Sequence, residues 1–259
     1  SGLASKKVVL VGDFLQLPPI VKHQVDRRKM SDKDANEEER LVKQWLSRDI
    51  FAAVGIEATV RNGTQPEKWL KMLKQQYRMH PDISSLINKL VYAKKSTKYE
   101  LKNGDPVLER GNERLDREPL KNSHVGIYDT SSVGSIPLKS ESGSTYNLTH
   151  ALIAVELAKK AIKSGYEEIG IISSYRAQVN LIKKIVKDSF SKNDKDAEKI
   201  IVDTVHKFQG GARDIIIFDV TTPYTNTMFD DGKEDGDDAK LINVAFSRAK
   251  EKLILLADV

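Results

Sequence analysis

Four polar clusters interrupt the apolar segments of this 259-residue chain, each where a predicted strand ends or a predicted helix begins. The ends of parallel strands are where open α/β sheets bind ligands, so such groups are candidates for binding chemistry. The four clusters are Gly12-Asp13 with Gln16, Gln76-Tyr77-Arg78, Ser173-Ser174-Tyr175 with Gln178, and the segment His206 to Asp214. A fifth cluster, NVAFSRAK, puts Asn243 and Ser247 on one helix face and Arg248 about 100° further round.

Each cluster alone is more typical of a turn, a helix cap or a solvated charge than of a site. Ser174, for example, is equally suited to accept a hydrogen bond as the cap of the helix that follows it. Any functional interpretation therefore depends on the clusters occurring together and in order.

The elements that position these clusters alternate between strand and helix patterns. VVLVGDFLQLPPIV, residues 8–21, predicts a buried strand, and EEIGIISSY, KIIVDTVHKFQG and RDIIIFDVTTP predict three more. YNLTHALIAVELAKKAIKSG and RAQVNLIKKIVKDSF have helical spacing, and KLINVAFSRAKEKLILLADV predicts a helix followed by a strand. Buried strands separated by helices indicate an α/β fold with a doubly wound parallel sheet covered on both faces.

The composition break around residues 60–72 predicts a domain boundary, with one domain in residues 1–65 and a second in 66–259. In the second domain we expect Asp82 or Ser84 to cap a helix that runs to Tyr92, and a long irregular insertion at about 93–145. Within that insertion only HVGIYDTS has a strand pattern. The acidic segment 225–240 is typical of a solvated loop.

Composition excludes several classes of protein. The chain has no cysteine, which excludes disulfides and thiolate metal sites and favours a reducing, cytoplasmic location. No apolar run approaches the ~18 residues of a membrane span, so we expect no membrane partner. A net charge of +5 with a pI near 9.1 permits nucleic acid as a partner without requiring it.

In their order along the chain, the clusters resemble the motifs of superfamily 1 nucleic-acid helicases, in the 5′–3′ subgroup that includes the nonsense-mediated decay helicase and its DNA-acting relatives. VGDFLQLPP resembles motif III, QYRMHP the motif IV region, and IGIISSYRAQV motif V. VDTVHKFQGGARDIII resembles the Gln-Gly motif that follows, and LINVAFSRAKEKLIL resembles motif VI. SGSTYNLTHA is similar to a Ser/Asn-bearing helix start found between motifs IV and V.

The resemblance implies RecA-like motor domains that hold ATP with Mg²⁺ between them and single-stranded DNA or RNA across their top. The Gly-rich Walker A loop and the Asp-Glu motif, which hold both cofactors, do not occur in this sequence. We therefore expect the remnant of a first RecA-like domain followed by all of the second, in a monomeric motor. By itself the chain is expected to hydrolyse little or no ATP. A cytoplasmic protein, nucleoid-associated if bacterial, follows from the same resemblance.

The resemblance also assigns roles to residues. Arg78 and Arg248 are expected to act as arginine fingers on the γ-phosphate, with Gln16 sensing it. No residue is expected to bind a metal. The residues expected to bind the nucleotide are Asp13, Gln76, Tyr77, Gln209 and Gly210. Those expected to contact the nucleic acid are Pro18, Ser173, Ser174, Tyr175, Gln178, His206 and Asn243.

Three positions depart from the family pattern. Ala212 stands where a Glu is usual, His206 where an Asp is common, and His150 where a Glu is usual. Ala212 favours an alternative function, a helicase-like module that binds nucleic acid or protein without motor activity. A third possibility, a small-molecule enzyme on a doubly wound fold, predicts a G-x-G-x-x-G fingerprint that the sequence lacks. These residues do not distinguish DNA from RNA or establish the polarity of movement.

Overall fold

The computed structural model describes residues 9–17, 50–56, 59, 70–93, 99–109, 114–191, 194–208, 211–223 and 237–259. The chain divides into two compact units, Ser1–Met72 and Leu73–Val259. The first unit contains helix α1, Ile50–Ala53. Phe51 of this helix lies against Phe14, with ring centroids 6.2 Å apart.

The buried strand predicted at the start of the chain is wrong for the described residues. Residues 9–13 have no regular secondary structure, and the side chains of Val9 and Val11 are 83% and 84% exposed. An apolar β-branched run becomes a buried strand only when a neighbouring strand takes up its backbone hydrogen bonds. Residues 9–17 have no such neighbour within the part of the chain that the structure describes.

The strands described in the second unit are β1 Gln75–Gln76, β2 Lys102–Asn103, β3 Val125–Asp129, β4 Leu138–Lys139, β5 Thr145–Tyr146, β6 Ile169–Ser173, β7 Ile200–Thr204, β8 Arg213–Asp219 and β9 Ala249–Ala257. Five of them form a parallel sheet in the order β3-β9-β8-β6-β7. Two short ladders accompany this sheet, β1 with β2 in parallel and β4 with β5 antiparallel.

The helices among the described residues of this unit are α2 Pro81–Ile87, α3 Asp105–Glu109, α4 Leu148–Lys163, α5 Arg176–Ser189 and α6 Asp237–Phe246. A π-helical turn, Asn88–Tyr92, continues α2, and 3₁₀ turns occur at Ser131–Val133 and Lys195–Lys199. Among the described residues, none of the helices is both long and apolar enough to cross a bilayer.

The N-cap of helix α2 lies two residues before Asp82, the nearer of the two predicted caps. His80 is its N-cap, and the His80 ring accepts a hydrogen bond from the Asp82 N–H, while Pro81 occupies the first position. Proline suits that position because it has no N–H to satisfy. Ser84, the other predicted cap, is buried and donates from its Oγ to Asn103 instead.

The sheet is covered by helices on both faces. Ile215 and Ile217 of β8 pack with α4 and α5 on one face. Phe218 points to the other face, where it meets Phe246 of α6 edge-on with ring centroids 5.6 Å apart. Such a strand is apolar on both sides and reads as a continuous apolar run. The predicted RecA-like, doubly wound parallel α/β fold is confirmed.

The segment 93–145 contributes to this sheet. Strand β3, which lies in this segment, is an edge strand of the sheet and pairs with β9 from Val125↔Leu253 to Asp129↔Ala257. Lys252 of β9 anchors the residues that precede β3, because its fully buried ammonium shares its three N–H groups among four backbone carbonyls, those of Leu115, Arg117, Pro119 and Leu120. Burial lowers the pKa of this lysine.

Tyr166, which follows α4 and precedes β6 in the chain, is fully buried, and its ionisation should make the stability of the fold sensitive to high pH. Its hydroxyl donates to the Arg114 carbonyl, and burial, with Glu251 adding to it, raises the pKa of Tyr166 from 10.0 to about 12. Because the folded state favours the neutral phenol, its contribution is complete below pH 10 and falls as the pH rises towards 12. We expect wild type to lose about 1.4 kcal/mol relative to Tyr166→Phe by about pH 11.

Urea unfolding of both proteins from about pH 9 to pH 11 measures this difference. A stability gap between wild type and Tyr166→Phe that stays constant over the range would contradict it.

Candidate functional site

The carboxyl edge of the sheet has a topological switch point between β6 and β8. From β6 the chain runs through α5 to β7, towards one edge of the sheet, and from β8 it runs through α6 to β9, towards the other edge. Helices α5 and α6 also pack on opposite faces of the sheet. Open α/β sheets bind ligands in the crevice outside such a point. Here the two strands end in Ser173 and Asp219, and Thr221 follows with a left-handed φ of 71°. For a β-branched residue this conformation is strained and depends on the surrounding contacts.

Asp219 is the centre of a buried polar network at this point. Its Oδ1 accepts from His150 Nδ1 at 2.8 Å and from the Thr221 N–H at 2.8 Å, and its Oδ2 accepts from Gln178 Nε2 at 2.6 Å. Because a carboxylate accepts, the His150 proton lies on Nδ1, and Nε2 accepts from the Thr130 hydroxyl at 2.8 Å. The side chains of this network are 0–1% exposed. A buried carboxylate is tolerated when its oxygens are all satisfied in this way.

Gln178 joins the starts of α4 and α5. Its Oε1 accepts from the Asn147 N–H at 2.8 Å, and its Nε2 donates to the Asn147 carbonyl at 3.0 Å. Asn147 is the N-cap of α4, where its Oδ1 accepts from the His150 N–H at 3.1 Å. The helix ends that face the carboxyl edge are therefore held to each other and to the sheet.

Ser173 and Gln178, both predicted to contact nucleic acid, are buried at this edge and bonded within the protein. Ser173 Oγ bonds to Thr221 Oγ1 at 2.9 Å and accepts from the Tyr175 N–H, and Gln178 has no exposed surface. Ser174 and Tyr175 are partly exposed at the same edge. Ser174 is not the cap of α5, because Ser144 Oγ accepts from the Ala177 N–H instead.

The QYRMHP segment forms a turn organised by Gln76. This buried side chain accepts from the N–H groups of Arg78 and Met79 at 2.9 and 2.8 Å. It also donates to the Met79 carbonyl and to Asn103 Oδ1. Gln76 thus uses both its oxygen and its nitrogen within the protein, which fixes the backbone from which Arg78 projects.

Arg78 and Arg248 meet at Ser247, immediately after α6. Arg78 is exposed, and its Nη1 donates to the Ser247 carbonyl at 3.1 Å. Arg248 is only 3% exposed, and its guanidinium donates to the Val244 carbonyl at 2.9 Å, to the Gly211 carbonyl at 3.3 Å and to Ser247 Oγ at 3.2 Å. The structure brings the two predicted fingers together, but only Arg78 presents its charge to solvent.

Tyr77 lies beside this turn with 57% of its surface exposed. Its ring covers Gly104, where a Cβ would come within 2.2 Å of Tyr77 Cε1, so only glycine fits beneath the ring in this position. Its hydroxyl donates to Gln75 Oε1 at 2.9 Å. An exposed phenol ring of this kind can stack on a flat ligand.

The remaining predicted residues are dispersed. Asn243 is fully buried and donates to the Tyr92 hydroxyl at 3.1 Å. His206 is exposed in the turn after β7. In the first unit, Asp13 accepts from the Leu15 N–H and from Gln16 Nε2, at 3.0 and 2.9 Å. Pro18, Gln209 and Gly210 lie outside the described residues.

The sequence analysis missed Asp219, Thr130 and Thr221 as members of this edge. The available signal was the position of Asp219 at the end of the apolar strand RDIIIFD, followed directly by two threonines. His150 and Asn147 lie in SGSTYNLTHA, but their partners could not be read from that segment.

Comparison with known proteins places these features in a family. A family model described as AAA_12, an AAA domain, matches residues 56–259. DNA replication ATP-dependent helicase/nuclease DNA2 of Mus musculus is 30% identical over 98% of this chain and 23% of its own length. Regulator of nonsense transcripts 1 of Caenorhabditis elegans is 30% identical over 98% and 21%. Helicase sen1 of Schizosaccharomyces pombe is 28% identical over 98% and 13%.

The chain thus spans less than a quarter of these curated relatives. Among solved structures, the C-terminal domain of a possible DNA helicase from Lactobacillus plantarum WCFS1 is similar over 71% of this chain and 88% of its own, with 16% identity and a TM-score of 0.40.

Proposed function

This chain belongs to the AAA_12 family as a superfamily 1 helicase-type motor domain, and we propose that its protein couples ATP hydrolysis to movement along single-stranded DNA or RNA. The names of its relatives include ATP-dependent helicases, which supports this activity for the family. We propose ATP with Mg²⁺ as cofactors, held mainly by the Walker A and Asp-Glu motifs that this sequence does not contain. On this proposal the chain by itself hydrolyses little or no ATP.

The observation that carries the proposal is the placement of Arg78. Its backbone is fixed by Gln76, its side chain is exposed, and its guanidinium lies at the end of α6 beside a second arginine. Phosphoryl transfer needs cations held in position more than covalent chemistry, and a planar guanidinium fits phosphate oxygens with two parallel hydrogen bonds. We propose that Arg78 neutralises the charge that develops on the γ-phosphate.

For Arg248 we propose a positioning role in place of direct contact with phosphate. Its three internal hydrogen bonds hold Ser247, and the Ser247 carbonyl in turn receives Arg78. Loss of Arg248 would release the acceptor that orients Arg78. The predicted nucleotide contacts of Asp13, Gln16, Gln209 and Gly210 stay predictions.

Tyr77 is proposed to stack on the adenine ring with the outer face of its phenol. We expect Tyr77→Ala in the full-length protein to raise KM for ATP about tenfold with little change in kcat, since stacking of a base on an aromatic ring contributes about 1–3 kcal/mol. Tyr77→Phe keeps the ring and serves as the matched control. Steady-state ATP hydrolysis measures both, and a fall in kcat at unchanged KM would contradict the assignment.

The nucleic-acid track is proposed to cross the carboxyl edge of the sheet. Ser174, Tyr175 and His206 have exposed surface there or in the adjoining turn, and each offers a hydroxyl or ring suited to phosphate or base contact. We propose that the buried residues Ser173 and Gln178 support this edge from beneath through the Asp219 network.

The test of the proposed function is ATP hydrolysis by the full-length protein without nucleic acid, with single-stranded DNA and with single-stranded RNA. Strong stimulation by one of them would support a motor and identify its track. Binding of nucleic acid without hydrolysis would support the second candidate, a binding module without motor activity. Ala212 in place of the usual Glu is the feature that favours this second candidate.

A further inference from the structure

Two histidine rings and a carboxylate meet at the start of α2, outside the site described above. The rings of His80 and His124 are stacked, with centroids 3.4 Å apart and planes inclined by 16°. One potential ligand atom from each of His80, His124 and Asp82 lies within 4.8 Å of the others. Within the described part of the chain, this is the group of histidines and acids that comes close enough to share one ion.

The tautomer of His124 suits metal binding. Its ring is 5% exposed, and Nδ1 lies 2.9 Å from the Glu251 carbonyl oxygen. A carbonyl can only accept, so Nδ1 carries the proton and Nε2 carries the lone pair. Histidines that ligate metals generally donate their other ring N–H to a carbonyl or carboxylate in this way, which fixes the ring and raises the basicity of the ligating nitrogen.

His80 presents a lone pair next to the carboxylate. Its Nδ1 lone pair accepts from the Asp82 N–H at 3.2 Å and lies 3.6 Å from Asp82 Oδ2, so an ion bound at this nitrogen would take the place of the Asp82 N–H as the partner of that lone pair. Two ligands bound tetrahedrally to one zinc ion at about 2.0–2.1 Å are about 3.4 Å apart. The spacing of these two atoms is therefore close to that of ligands on a shared ion.

We propose that His80, His124 and Asp82 form a binding site for a divalent transition-metal ion of the Zn²⁺ class, with two imidazole nitrogens, one carboxylate oxygen and a remaining position for water. Imidazole and carboxylate together suit Zn²⁺ and Co²⁺ better than Ca²⁺ or Mg²⁺. Convergence of the ligands requires the stacked rings to fan apart about their Cβ–Cγ bonds. The Asp82 side chain is 62% exposed and can turn towards the rings, whereas the His80 side chain is 12% exposed and moves only as its stack with His124 opens.

An ion in this site would connect three elements. The His80 N–H donates to the Lys250 carbonyl of β9 at 2.8 Å, while His124 precedes β3 and is bonded to the Glu251 carbonyl of β9. The site is therefore joined to the sheet on one side and to α2, two residues after Arg78, on the other. The proposal stands on these contacts and does not depend on helicase activity, although it revises the expectation that the chain has no metal ligands.

The experiment is a titration of the purified, tag-free protein with Co²⁺, followed by its visible d–d absorption, and with Zn²⁺ by calorimetry. His124→Phe keeps an aromatic ring in the stack without a ligating nitrogen. His80→Asn keeps an N-cap acceptor but removes the imidazole. Asp82→Asn removes only the charge of an exposed side chain. His206→Asn, at an exposed histidine in another turn, is the matched control, and circular dichroism verifies that each variant folds.

We expect one ion per chain for wild type and His206→Asn. His124→Phe and His80→Asn should each weaken binding by at least about 100-fold, since loss of a ligand exceeds the 10–100-fold typical of an outer-shell change. Asp82→Asn should weaken it less. Either of two results would overturn the site: wild type binds no ion, or the His124→Phe and His80→Asn variants bind it as tightly as wild type does. Tight binding lost only in His206→Asn would do so as well.

Discussion

Replacing Arg78 by alanine in the full-length protein is expected to lower kcat for ATP hydrolysis by about 10³-fold or more, the lower end of what an arginine finger contributes. The reason is geometric. The Gln76 side chain fixes the Arg78 backbone, and the Ser247 carbonyl holds its guanidinium, so the cation is in place before the γ-phosphate develops charge. Because Arg78 is exposed, its removal leaves no cavity, and stability should change by less than about 0.5 kcal/mol.

Steady-state ATP hydrolysis with saturating nucleic acid measures this effect, alongside thermal unfolding of the same samples. Arg78→Lys keeps the charge but not the planar fork and should recover little of the activity. Lys187→Ala is the charge-matched control, since this exposed lysine lies in the last turn of α5, away from the carboxyl edge. If Arg78→Ala retains near wild-type kcat, Arg78 is not the finger, whatever the protein's track.

Replacing Asp219 by alanine is expected to lower the free energy of unfolding by about 3–5 kcal/mol, because three buried donors lose their shared acceptor at a cost of at least about 1 kcal/mol each. The substitution leaves the Thr221 N–H, the Gln178 amide and His150 Nδ1 without their shared acceptor in a region with almost no solvent. Each unsatisfied buried donor costs about 1–3 kcal/mol. Thr221 also loses the contact that holds its left-handed backbone.

Urea unfolding followed by circular dichroism measures this loss. Asp188→Ala removes an exposed carboxylate of α5 and should change stability by less than about 0.5 kcal/mol. Asp219→Asn keeps the shape and one acceptor oxygen, so it should lie between the two. A loss below about 1 kcal/mol for Asp219→Ala would show that the network is not essential to the fold.

Short-range patterns determined most of the secondary structure. The apolar run of β8 and the helical spacing of α4 and α5 depend on residues within a few positions of each other, and all three elements occur where the sequence predicts them. The order of the motifs along the chain, together with QYRMHP and NVAFSRAK, was enough to predict the helicase family, because motif order is a property of the sequence itself.

The tertiary structure decided which polar side chains face inwards. Asp219 lies 41 residues from Gln178 and 69 from His150, and only the placement of β8 next to β6 brings the three together. That placement gives the Gln178 amide its hydrogen-bond partners inside the protein and leaves Ser174 and Tyr175 at the surface. From the sequence alone, these neighbouring polar residues could not be divided into buried and exposed ones. Burial of a polar group depends on whether a partner from elsewhere in the chain can replace its water, and strand order, not local pattern, supplies that partner.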